Sequence, residues 1–491
     1  MKIVLVHPAG SNWFPGQKDA TVVANRMAPI GLLSMAAYII STGRHDVFVH
    51  DCLGPKARPG PQANVKRILA HQPDMVGFTA TTSAFPDAND MASLIKETRP
   101  DIKIIVGGVH ASAIGAQLLE QFDSIDYLCL GEGEETLLEL ADGEDLGSIN
   151  GLVWRDGEQA VTNPPRIHIK HLDELPFPAY DLLPRFPKGY YLPPLSYIHV
   201  PGATMITSRG CIYNCSYCDR SVFKKGFRSN TADYIYDHMK MLQERFNVRH
   251  INVYDDLFTT NRNRITQICE QLIDRPLGIQ FNCAVHAGHA DDDLLRMLKD
   301  AGCLMISVGI ESGDAALMER HKASVTLDQV RDTVARIQEN GIRAKGLFMM
   351  GLPGETPESI KKTSDFIISL GLDDMNMSKF TPFPGAPCWP TVHNDGTFDN
   401  DWSLMNCLNF VFVPKAFESR EEIDELYNRH IKRFYHDKIW LKTKFKKRLW
   451  QHRHTLWRFI ANMPSFLAAK RSFEPKSLTP SQPAAAGHSP E

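Results

Sequence analysis

The chain has 491 residues, 43% of them apolar and 23% charged, with a formal net charge of −3. That length allows about two to four domains. The composition is that of a soluble globular protein, and the charge excludes a global pull toward nucleic acid or anionic membranes. The first apolar run, Ile3 to Val6, is too short for a secretory signal. The best later one, Ala28 to Ile40, is too short for a membrane span. The expectation is a cytoplasmic protein whose ten cysteines are thiols or metal ligands, not a disulfide scaffold.

Five β-branched runs open the chain: Lys2–His7, Asp46–Asp51, Asp74–Thr79, Lys103–Gly108 and Asp126–Gly131. Helical patterns over 29–42, 64–71, 85–97 and 113–122 separate them. This alternation predicts a parallel, doubly wound sheet over residues 1–145. Ligands of such sheets bind beyond the carboxyl ends of the strands. The segments found there are "HPAG" (His7–Gly10), "TATTS" (Thr79–Ser83), "GGVHAS" (Gly107–Ser112) and "GEGEET" (Gly131–Thr136). Small residues and hydroxyls at successive strand ends suit a large, flat, polar ligand.

Residues 146–200 are proline-rich and predict an extended linker. A second α/β series fills 201–390, with strands at Thr204–Ser208, His250–Tyr254, Ile279–Ala284, Met305–Gly309, Ala344–Met350 and Met375–Thr381. Six βα units predict a partial barrel with its site at the strand C-terminal ends. Residues 391–476 read as a helical, basic extension. From Lys432 to Arg458 many Lys and Arg are interleaved with Trp440, Phe445, Trp450 and Trp457. Such a segment suits a helical cap with a solvated basic face, the favoured reading, or a helix lying on a membrane surface. Residues 477–491 are rich in Pro, Ala and Ser and predict a disordered tail.

"SRGCIYNCSYCDRS" places Cys211, Cys215 and Cys218 just after the first strand of the second series. Three thiolates on one loop can hold three irons of a [4Fe–4S] cluster and leave the fourth open. The alternatives are a zinc site, which needs a fourth ligand, a redox pair, and unrelated structural thiols. The spacing favours the cluster.

With Tyr217 before the last cysteine, the motif resembles the signature of radical S-adenosylmethionine (SAM) enzymes. "VYDDLFTTNRNR" (Val253–Arg264), "AGCLMISVGIESGD" (Ala301–Asp314), "FMMGLPGET" (Phe348–Thr356) and "TPFPGAPCW" (Thr381–Trp389) resemble later strands of that superfamily, in order. "APIGLLSMAAYIISTGRHDVFVHD", with "GGVHAS" and "GEGEET" after it, resembles the cobalamin-binding domain ahead of the barrel in one branch. The fold implied is α/β: a Rossmann-like cobalamin-binding domain, a partial (β/α)6 barrel and a mainly helical C-terminal extension.

The resemblance implies three cofactors: a [4Fe–4S] cluster, SAM and cobalamin. Cys211, Cys215 and Cys218 would be the cluster ligands and the catalytic set. Tyr217, Gly309, Glu311, Ser312, Gly351 and Pro353 would meet SAM, with Gly313 and Gly354 admitting close backbone approach. Thr79, Thr81, Thr82, Gly107, Gly108, His110, Gly131, Glu132 and Gly133 would meet cobalamin. Reductive cleavage of SAM would give a 5′-deoxyadenosyl radical that takes hydrogen from substrate, with methyl transfer to carbon as the commonest outcome. A cyclase or rearrangement enzyme acting on a tetrapyrrole or lipid is the runner-up. A catalytically inert cobalamin sensor is the reading from another class.

Two departures stand out. The cobalt-ligating pattern D-x-H-x-x-G is absent: "FVHDCLG" has His50 and Gly54 but Phe48 where Asp would be, which implies no histidine below cobalt. His286 stands where many relatives carry Arg. Tyr254, Asp255, Asp256, Asn282 and His286 are the candidates for substrate contact. The partners implied are a small, hydrophobic substrate and an electron donor such as flavodoxin or ferredoxin. Peripheral membrane contact through the basic segment is a further expectation, and nucleic acid is not expected.

Overall fold

The computed structural model describes residues 1–10, 26–55, 60–193, 196–437 and 451–452. The aromatics of the basic segment (Trp440, Phe445, Trp450 and Trp457) and the expected tail, residues 477–491, lie outside them. Among the described residues no helix is long and apolar enough to cross a membrane.

The first unit is a seven-stranded sheet. Its strands are β1 (Lys2–His7), β2 (Asp46–Asp51), β3 (Met75–Thr79), β4 (Lys103–Gly107), β5 (Tyr127–Cys129), β6 (Leu152–Asp156) and β7 (Gln159–Thr162). The order is β2-β1-β3-β4-β5-β6-β7. The first five are parallel, and β6 and β7 are antiparallel additions at one edge. The helices are α1 (Ile30–Ser41), α2 (Pro61–Leu69), α3 (Phe85–Thr98), α4 (Val109–Ile114), α5 (Gln117–Gln121) and α6 (Glu134–Asp142). Side chains alternate across a strand, so β1 feeds two cores. Val4 and Val6 pack with Ile68, Phe85, Met91 and Ile95 on one face. Ile3 and Leu5 pack with Leu32, Ile39, Leu137 and Leu140 on the other.

Two differences from expectation have local causes. The linker is not extended throughout, because Gly157 and Glu158 turn it into the β6–β7 hairpin, with Gly157 at φ +62°. A Gly at positive φ between β-forming runs is a hairpin signal. The single helix expected over 113–122 is two short ones, broken at Gly115 (φ +70°).

The second unit is an open barrel of six parallel strands in the order β15-β14-β13-β12-β11-β8. They are β8 (Gly202–Met205), β11 (His250–Val253), β12 (Gln280–Val285), β13 (Cys303–Glu311), β14 (Arg343–Met350) and β15 (Asp374–Lys379). A small ribbon at its mouth pairs β9 (Ser208–Arg209) with β10 (Arg228–Ser229). The outer helices are α7 (Ala232–Phe246), α8 (Arg262–Asp274), α9 (Asp292–Asp300), α10 (Ala315–Lys322), α11 (Leu327–Glu339) and α12 (Pro357–Ser369). Their N-caps follow sequence rules. Thr231 accepts from the Tyr234 N–H, and Thr326 with Gln329 closes a capping box on α11.

The extension begins with a second ribbon, β16 (Gly396–Phe398) against β17 (Phe412–Pro414), before helix α13 (Arg420–Tyr435). Between those strands Trp402 reaches back to the first unit. Its ring sits 4.5 Å from His110 and 5.5 Å from Phe85. At the far end of the barrel, His452 is buried and donates from Nδ1 to Tyr197 O at 2.8 Å.

Candidate active site between sheet and barrel

The strand ends of both units face one cleft, enclosing about 1390 Å³ of empty space that includes open solvent. Thr79, Gly107, Gly108, Gly131, Glu132 and Gly133 line it from the sheet. Ser208, Arg209, Phe223, Tyr254 and Asp256 line it from the barrel. Gly108 has φ +94°, and a Cβ there would lie 2.9 Å from Ala80 O. Only glycine fits such a conformation and approach.

The expected cobalamin contacts divide. Thr79 and the glycines at 107, 108, 131 and 133 line the cleft. Thr81 is exposed, and Thr82 is buried with its hydroxyl 3.2 Å from His110 Nδ1. His110 is not a cleft residue: it is wholly buried against Phe85 and Trp402, and burial lowers its pKa to about 4. His50 bonds Asn64 at 2.9 Å and is not a lining residue either.

Glu132 lines the cleft, but its carboxylate is engaged by protein. Arg209 donates to it at 2.6 Å, Arg228 at 2.9 Å and the Ile169 N–H at 2.9 Å. Arg209 also donates to Glu134 at 2.6 Å. Burial opposes ionisation of Glu132, yet Arg209 and Arg228 hold its pKa below the usual range. This network joins the loop after β5 to the residue two places ahead of Cys211. Sequence reading missed Arg209, Arg228 and Glu134: the two motifs "GEGEET" and "SRGC" were visible, but not that Arg209 and Arg228, 77 and 96 positions from Glu132, pair with the first.

Gly210 (φ +86°) makes the turn into the cysteine loop, where a Cβ would lie 2.6 Å from Gly226 O. Cys211, Cys215 and Cys218 are all partly exposed and free of disulfides. Burial, then neighbouring thiols and Asp256, push the Cys218 thiol up to about 12. Among the described residues no three such side chains converge on one point. A single zinc ion needs convergence. A four-iron cluster presents its irons at separate corners, one to each thiolate.

Tyr217 packs beside Leu352, Phe380 and Phe412. Burial, followed by Glu311 and Cys215, raises its pKa. It therefore sits between the cysteine loop and Glu311. Glu311 is one of the few non-glycine residues at positive φ, +66°, just past a register shift in β13. Strained backbone of that kind is kept where a site demands it. Lys322 Nζ pairs with Glu311 at 2.9 Å and donates to Gly309 O at 2.8 Å.

Other expected SAM contacts serve packing. Ser312 is fully buried, 3.1 Å from the Thr363 hydroxyl. Gly313 lets α12 approach, since a Cβ there would lie 2.6 Å from Phe366 Cβ. Cβ atoms at Gly351 and Gly354 would meet Phe410 and Arg320.

The substrate candidates also divide. Asp255 is buried and saturated by Thr207, Ser208 and Arg264. Asn282 donates to Ser196 O and Asn252 Oδ1 from the interior. Tyr254 is 42% exposed and Asp256 lines the cleft, with burial raising its pKa. His286 stacks on Tyr213 of the cysteine loop, ring centroids 4.0 Å apart, and Tyr213 Oη lies 2.8 Å from His289 Nε2.

The Radical SAM superfamily model matches residues 205–367, and the B12 binding domain model matches residues 16–141. The chain thus carries a radical SAM domain with a B12-binding domain ahead of it. It is similar to a protein named as an uncharacterized methyltransferase of Pyrococcus horikoshii, 29% identical over 453 residues, 91% of this chain and 95% of that one. It is also similar to the anaerobic magnesium-protoporphyrin IX monomethyl ester cyclase of Rubrivivax gelatinosus, 26% identical over 91% of this chain and 80% of the relative. Among solved structures, the radical SAM methyltransferase TsrM of Kitasatospora setae shares the fold. There the TM-score is 0.65 at 19% identity, over 87% of this chain and 83% of that one.

The radical SAM domain implies a [4Fe–4S] cluster and SAM, and the B12-binding domain implies cobalamin. The residues present fit: three thiols on an exposed loop for the first, and a glycine cradle at the strand ends for the last.

Proposed function

We propose that the protein is a cobalamin-dependent radical SAM C-methyltransferase acting on a small molecule. One observation carries this reading: the glycine cradle of the sheet and the loop entering the cysteine motif open into the same cleft. When bound there, the cluster and SAM supply a hydrogen-abstracting adenosyl radical, and cobalamin supplies a methyl group.

In this reading Cys211, Cys215 and Cys218 hold three irons. Tyr217 and Glu311 flank SAM, with Glu311 accepting hydrogen bonds from its hydroxyls or ammonium and Lys322 fixing the carboxylate. Gly107, Gly108 and the loop from Gly131 to Gly133 admit cobalamin at close range. The Glu132–Arg209 pair keeps the two loops in register. Ile206 and Tyr254, 38% and 42% exposed, and Ile212 on the cysteine loop, 41% exposed, give the barrel mouth an apolar wall. That wall supports a substrate with an apolar or planar face and helps exclude water. A one-electron donor of the flavodoxin or ferredoxin class completes the partners.

The cyclase relative supports a second reading, ring formation on a tetrapyrrole, which needs no methyl transfer. Anaerobic reconstitution with iron, sulfide and hydroxocobalamin tests the shared part. The expected result is a bound-cobalamin spectrum and 5′-deoxyadenosine formation that a Cys215→Ala protein lacks. Failure to retain cobalamin overturns the proposal, and so does 5′-deoxyadenosine from Cys215→Ala.

A further inference from the structure

Ser216 lies between the second and third cysteines, and its polar groups are held by two parts of the barrel, His321 and the segment at Cys388. Its N–H donates to His321 O at 3.1 Å, and its carbonyl accepts from the Cys388 N–H at 2.9 Å. Its hydroxyl lies 2.6 Å from His321 Nδ1. The other ring nitrogen, His321 Nε2, lies 2.8 Å from Pro353 O. A carbonyl only accepts, so Nε2 carries the proton and Nδ1 is the acceptor for Ser216 Oγ–H. His321 is buried, on the last turn of α10. Pro353 follows β14, and Cys388 follows β15.

We infer that His321 is a positioning residue for the iron–sulfur cluster, acting through Ser216. The hydrogen-bond chain Pro353 O, His321, Ser216 transmits the position of the β14 loop to the Cys215–Cys218 half of the cysteine loop. The other half is anchored elsewhere. Cys211 O accepts from the Gly226 N–H, and Tyr213 pairs with His289. The two thiolates that flank Ser216 are thus aimed by the barrel, not by the loop itself. Partners one step removed from metal ligands govern metal retention and electronics, commonly by 10- to 100-fold (an order-of-magnitude range). The inference rests on the cluster alone and requires no methyl transfer.

The test uses the full chain, reconstituted anaerobically without cobalamin, as wild type, Ser216→Ala, Ser216→Thr, His321→Phe and the Ser216→Ala/His321→Phe double variant. Circular dichroism reports the fold, chelator challenge reports iron retention, and electron paramagnetic resonance reports the reduced cluster with and without SAM. Ser216→Ala is expected to lose iron to chelator roughly 10-fold faster or more, with altered g-values. Ser216→Thr, which keeps the hydroxyl, restores both readouts. The double variant is no worse than the worse single one, because both remove the same hydrogen bond. Ser216→Ala with wild-type retention and spectrum overturns the inference, as do fully additive losses. Should His321→Phe not fold, the two Ser216 variants decide on the same readouts. Failure here leaves the proposed function standing, and a radical enzyme that transfers no methyl leaves this inference standing.

Discussion

His110 shows how one residue's surroundings set a solution property. It is fully buried between Phe85 and Trp402, and its ring Nδ1 lies 3.2 Å from the Thr82 hydroxyl. Burial lowers its pKa from 6.5 to about 4, so the folded state holds it neutral. A base with a depressed folded pKa contributes stability fully above its unfolded value and loses it as pH falls. The window here runs from about 6.5 down to 4, and the loss is roughly 3 kcal/mol. His238 and His250 behave alike, each lowered to about 3 by burial. Urea unfolding is therefore expected to show a lower midpoint at pH 5 than at pH 7.5. His110→Gln is expected to shrink that difference, and an undiminished difference would remove His110 from the account. The cysteines and Tyr217 were legible in sequence because a motif is local. The burial of His110 was not, since Trp402 lies 292 positions away in the chain.

Elements were legible where their periodicity is strong. Strand β1 alternates two apolar faces, and helix α11 opens with a capping box readable in "TLDQ". The β6–β7 hairpin was obscured by the prolines that follow it, although Gly157 in its turn marks it. Glycines after the barrel strands were read as room for a cofactor, yet Gly313 makes room for a helix. Gly313→Ala would drive a Cβ to within 2.7 Å of Thr363 Cα as well as against Phe366. It is expected to cost about 1–3 kcal/mol by overpacking. Gly31→Ala, with nothing within 4 Å in the first turn of α1, should cost nothing or stabilise by up to about 1 kcal/mol. Thermal unfolding of the pair separates these outcomes. Equal melting temperatures would contradict the packing role.

At the scale of the molecule, two contacts among the described residues tie the sheet to later parts of the chain. One is the buried network of Glu132, Glu134, Arg209 and Arg228, and the other is the Trp402 clasp. Neither is legible in sequence, because docking depends on the shapes of two finished units. Arg209→Leu would leave two buried carboxylates short of their partner, an expected cost of about 3–5 kcal/mol. It should also weaken hydroxocobalamin binding, because Glu132 and the cradle glycines share a loop. Equilibrium dialysis with unchanged affinity would show that the network is structural only. In the proposed function, sheet-bound cobalamin and barrel-bound SAM meet in the cleft between sheet and barrel for methyl transfer. Mass spectrometry of cobalamin extracted after anaerobic, reducing turnover with SAM deuterated in its methyl group tests this most directly. Methylcobalamin carrying the deuterated methyl is the expected product from the wild-type protein. Unlabelled cobalamin beside ample 5′-deoxyadenosine would contradict it.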